Sequence, residues 1–69
     1  VRMPESLMRR IVAAELGAGR DAEAAALVDA WLAQNPMSRE AALLAARFAE
    51  ARGDTARARL LRRHLDGES

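Results

Sequence analysis

The side chains able to do chemistry are one histidine, three serines, ten carboxylates and eleven arginines, with no cysteine and no lysine. A metal site or a general base needs partners at fixed spacing, and His64 has neither a second histidine nor a thiolate to join it. Ser6 and Ser38 stand at the starts of helix-forming runs, where capping accounts for them better than nucleophilic attack. The carboxylates are scattered, with no pair at a pocket-forming turn. "GAGR" at 17–20 has the glycines of a phosphate loop, but no Lys-Ser/Thr follows and no strand pattern precedes. "RGD" at 52–54 spells an adhesion tripeptide, and a Gly-Asp turn accounts for it fully. These residues predict no catalytic centre, no cofactor and no metal.

The arginines are the remaining candidate. "EARGDTARARLLRRHL", residues 50–65, holds five of them. On a helix, Ala58, Leu61 and Leu65 share one side, while Arg59, Arg62 and Arg63 fall roughly opposite and Arg57 flanks the stripe. The arginines therefore read as the solvated complement of a buried seam, their stems covering apolar surface beside it. A phosphate-gripping helix would come with a basic excess and a recognition motif. The chain has eleven basic against ten acidic residues, and only Trp31 and Phe48 for stacking. Nucleic acid is disfavoured as a partner, and a small basic DNA-binding domain is kept as the second alternative.

What must position these residues is one small domain of 69 residues. A core of that size supplies only a few kcal/mol, so regular helix packing or a partner is needed. No apolar run reaches the roughly 18–20 residues that cross a bilayer, and "VRMPES" carries no signal-peptide core. The cytoplasm is the expected compartment. Seventeen alanines and arginine in place of lysine read as the coding bias of a GC-rich bacterial genome.

Ala, Leu, Arg and Glu dominate, and β-branched residues do not cluster, so helices are expected throughout. Pro4 suits a first turn. "GAGRD" at 17–21 breaks the chain and offers Asp21 as an N-cap; "NPMS" at 35–38 offers Asn35 or Ser38; "RGD" repeats the Gly-then-Asp logic. Gly67 ends the last run. The expectation is all-α: helices near 4–17, 21–34, 38–52 and 54–66, forming two antiparallel hairpins. Residues 1–3 are expected to be disordered and 67–69 a short tail. In the second helix Ala24, Leu27, Val28 and Trp31 form an i, i+3, i+4, i+7 stripe. So few of its residues are polar that more than one side should be covered. The stripe position makes Trp31 a core residue rather than an exposed anchor.

The halves repeat. A shift of 34 pairs Gly19 with Gly53, Ala22 with Ala56, Ala24 with Ala58, Leu27 with Leu61, Trp31 with Leu65 and Val12 with Ala46. A shift of 33 also pairs Asp21 with Asp54 and Leu32 with Leu65. A helix-turn-helix of about 34 residues is the tetratricopeptide period. "GDTARARLL" and "GRDAEAAALVDAWLAQNP", with the small-then-large step Ala24–Val28 and the closing Pro36, resemble that family. The chain is similar to two degenerate tetratricopeptide repeats, about 4–36 and 37–66. The large aromatics of the family's first helices are replaced by Met8, Ile11 and Glu15 in one repeat and Ala42, Ala45 and Ala49 in the other, with Phe48 nearby.

The resemblance implies a right-handed superhelical stack whose first helices line a groove for a protein or peptide. Its register puts Ser6, Arg9, Ala13 and Leu16 there from the first helix, and Glu40, Leu43, Arg47 and Glu50 from the third. The family's clamp for a terminal carboxylate uses Lys and Asn; this chain has no Lys, and Asn35 sits at a turn. Because solenoid units bury their faces against neighbours, apolar surface from Leu7, Met8, Ile11, Leu60 or Leu65 should remain for another chain. The expected function is a non-catalytic protein–protein interaction module, docking part of a larger protein or small adaptor. Self-association as a homodimer is the first alternative.

Overall fold

The structure is a computed structural model describing residues 4–67; residues 1–3 and 68–69, the expected disordered start and most of the expected tail, lie outside it. Four helices follow in order: α1 (Glu5–Gly17), α2 (Asp21–Gln34), α3 (Arg39–Arg52) and α4 (Thr55–Gly67). The fold is all-α, built from two helical hairpins, and no strand occurs among the described residues. Each helix packs on its neighbours in sequence: α1 on α2, α2 on α3, α3 on α4. The result is a slab of 30 × 28 × 15 Å.

The two hairpins are copies at a spacing of 34. Both helices of the second begin 34 residues after their counterparts. Both hairpin turns pivot on a left-handed glycine, Gly19 at φ +77° and Gly53 at φ +81°. Glycine adopts that conformation without the clash a Cβ would bring. Around each pivot the same bonds recur. The Arg20 N–H reaches the Glu15 carbonyl at 2.9 Å, and the Asp54 N–H reaches the Ala49 carbonyl at 2.8 Å. These six-to-one bonds satisfy carbonyls the ending helix leaves open. The structure thus selects the shift of 34 over 33. One expectation changes with it: Asp21 is the first residue of α2 rather than its cap, and Arg20 holds the cap position without a side-chain bond. Asp54 does cap, accepting from the Arg57 N–H at 3.2 Å, and Ser38 caps α3, accepting from the Ala41 N–H at 3.2 Å.

The core gathers Met8, Val12, Ala24, Val28 and Trp31 from the first hairpin with Ala41 and Ala45 of α3. Leu27, Leu32, Leu44, Phe48 and Leu61 pack against it. Trp31 and Val28 are its largest fully buried side chains. The Trp31 indole N–H is not left unpaired; it donates to the Glu5 carboxylate at 2.9 Å, as a buried indole requires. A second seam runs along α3 beside the first. Ala42, Ala46 and Ala49 are buried at i, i+4, i+7, outside the Trp31 cluster, on the helix that packs against α4 with its buried Ala58 and Leu65.

Candidate functional site

α1 and α3 both pack on α2, and one ion pair joins them. Arg9 of α1 grips Glu40 of α3 with two guanidinium nitrogens, the Nη2 bond measuring 2.6 Å. A guanidinium matches a carboxylate in this two-point geometry, which fixes orientation as well as distance. The hydrogen bonds from Arg9 hold the Glu40 carboxyl below its ordinary pKa and raise that of Arg9. Next to the pair, a hollow of about 230 Å³ is lined by Arg39, Glu40, Leu43 and Leu65. Arg39 is pinned too: its Nη1 donates to the Leu65 carbonyl at 2.9 Å. This cation sits against a carbonyl in the last turn of α4, where the helix dipole favours positive charge. The hollow therefore has two leucines inside and two charged groups already held at its edge.

The expected groove residues separate into those this face brings together and those it does not. Glu40 and Leu43 line the hollow and Arg9 reaches its edge through Glu40, while Arg47, one turn after Leu43, is exposed with no ion pair among the described residues. Ser6 and Ala13 are exposed on α1. Glu50 is turned to α4, accepting from Arg62 at 3.0 and 3.3 Å. Leu16 lines a different cleft, described below. Among the residues expected to offer a self-association surface, Met8 (4% exposed) and Leu65 (7%) are packed into the protein, because each falls on the stripe that faces the neighbouring helix. Ile11 is half-buried, and Leu7 and Leu60 are exposed.

The larger cleft, about 480 Å³, opens between α2 and α3. Its floor is Ala22, Ala25 and Ala26 with Ala51, Phe48 and Leu16. Asp21 and Asp29 border it from α2 and Arg52 from α3. The stripe Ala22, Ala25, Ala26 is the second apolar side that the composition of α2 called for, though its position went unread. Asp29 also binds Arg57 of α4, Nη2 to Oδ1, at 3.0 Å. The Arg57 Nε is buried without a partner among the described residues. A third hollow, about 410 Å³, lies among Glu5, Asn35, Pro36, Met37 and Ser38. There the Ser38 hydroxyl and the Trp31 indole stabilise the Glu5 carboxylate and lower its pKa.

The arginines of 50–65 divide. Arg57 and Arg62 are held by Asp29 and Glu50. Arg52, Arg59 and Arg63 are exposed and make no ion pair among the described residues. No group of three or more His, Cys, Asp or Glu with metal-binding geometry occurs there either. Among the described residues, no helix is long and apolar enough to cross a membrane. Set against known protein families, curated proteins and solved structures, the chain matches none.

Proposed function

We propose that the chain is a non-catalytic protein–protein interaction module, a pair of tetratricopeptide-like hairpins that receives a partner segment on the α1/α3 face. The observation that supports this reading is the Arg9–Glu40 pair, which links the first helices of the two hairpins next to the Leu43–Leu65 hollow. The 34-residue repeat of helix starts and turn bonds supports the family resemblance. A partner that fits places one apolar side chain between Leu43 and Leu65 and a carboxylate toward the unpaired Arg47. Because Arg9, Glu40 and Arg39 are already held, little side-chain ordering remains for binding to impose.

The test is a selection of peptides against the wild-type chain, followed by titration of the winners against Leu43→Glu and Arg47→Glu. Enrichment of acidic, apolar peptides that lose at least tenfold in affinity to both variants supports the reading. Peptides that bind both variants as tightly as wild type overturn it.

A further inference from the structure

A second face combines an apolar cleft with charges of opposite sign on neighbouring helices. Helix α2 has three acids, Asp21, Glu23 and Asp29, and no base. Helix α4 has four arginines against one acid, Asp66. One link between them, Asp29–Arg57, is made within the chain. It leaves the second carboxylate oxygen of Asp29, and all of Asp21, on the border of the 480 Å³ alanine-floored cleft. On α4 it leaves Arg59 and Arg63, which lie together along one side of Leu60, all three away from the buried Ala58 and Leu65. Leu60 is 65% exposed, the most exposed leucine among the described residues. The molecule thus has an apolar cleft with acids along its α2 wall and a leucine knob with two exposed arginines along one side of it. The shapes and the charges are those of a plug and its socket.

We propose that the socket takes the plug of a second copy of this chain, Leu60 entering the cleft over Ala22, Ala25 and Ala26 while Arg59 and Arg63 meet Asp21 and Asp29. A chain cannot fill its own cleft this way, because Leu60 points away from the body that contains it. The Asp29–Arg57 bond places α4 beside the cleft border, so plug and socket adjoin on one surface. A two-fold axis through that surface makes both contacts at once and closes the assembly as a dimer. An alanine floor lets the incoming helix lie close. Arg52, the one cation among the described residues lining the cleft, comes from the α3 wall, away from the acids of α2.

The deciding experiment is the molar mass of the whole chain by light scattering over a concentration series to about 1 mM, beside Leu60→Glu and Ala26→Trp. Both substitutions fall on exposed positions, and circular dichroism checks that each variant keeps its helices. The expected result is a two-chain mass in wild type, with the half-dimer concentration raised at least tenfold by either variant and raised also by salt. Because the chain has no cysteine, Leu60→Cys and Ala26→Cys proteins mixed with an oxidant should cross-link to each other faster than either does to itself. A single-chain mass throughout overturns the proposal. So does a dimer indifferent to Leu60→Glu and Ala26→Trp. Neither result touches the peptide reading, whose variants lie on the other face.

Discussion

In the first hairpin, α1 and α2 close around Trp31, Met8, Val12 and Val28; in the second, α3 and α4 close around Ala42, Ala46, Ala49 and Ala58. The glycine pivots, the turn bonds around them and the 34-residue spacing of helix starts recur in both. The packing differs in kind. Large side chains bury much apolar area per residue, and alanines gain by letting backbones approach, with almost no side-chain entropy to lose. One backbone plan therefore tolerates two ways of being held together, provided the glycine pivots are kept. The two ways should fail differently: the first by leaving a hole, the second by being overfilled.

Trp31→Ala should have the largest effect, about 3–5 kcal/mol, enough to unfold a domain this small. It removes a fully buried side chain and its hydrogen bond to Glu5. Urea titration checks it. Ala49→Leu should cost about 1–3 kcal/mol by overpacking the α3–α4 seam, whereas Ala26→Leu, at an exposed position, should be nearly neutral. Equal losses in that pair would remove the contrast between core and cleft alanines. The turns predict symmetry instead. Gly19→Ala and Gly53→Ala should each cost about 1–2 kcal/mol from the left-handed backbone alone, since a Cβ at either site meets nothing within 4 Å. Unequal melting shifts would break the equivalence of the hairpins. Ser38→Ala should cost about 1 kcal/mol, while its counterpart Pro4, which makes no side-chain cap bond, should be replaceable by Ala at less cost.

The smallest effect is in pH. Glu5, Glu15 and Glu40 all have lowered pKa values in the folded chain. A lowered carboxylate pKa means that the unfolded chain takes up protons first as pH falls. The contribution is whole above the ordinary carboxylate range and fades as pH drops through the folded values. Stability should be level near neutrality and decline in acid. Glu40→Gln should make that decline shallower, as melting at several pH values would show.

The helices and their ends were legible because glycine, proline and serine act locally. Gly19, Gly53 and Ser38 carry the boundaries in their own chemistry. The internal repeat was legible as well, but its register was settled by geometry: Asp21 and Asp54 look alike in the sequence, and only the second caps. The candidate site was less readable. Arg9–Glu40 and Arg39–Leu65 join residues 31 and 26 positions apart. Such pairs exist only once the hairpins are packed, and no local pattern marks them. By sequence Leu65 reads as both seam and surface; helix phase makes it seam, and burial agrees. Register places Leu16 on the α1/α3 face, yet near the end of its helix it turns to the cleft on the α2 side.

The single tryptophan has a practical consequence. It lies in the first hairpin, where Ala41, Ala45 and Leu61 of the second are packed into or against its cluster. Its fluorescence therefore reports the heart of one half, while far-ultraviolet ellipticity reports both. Melted together and watched by both signals, a chain that behaves as one cooperative unit gives superimposable curves. That is the expected behaviour here, because Trp31 cannot loosen without freeing α3, and α3 is the wall on which α4 rests.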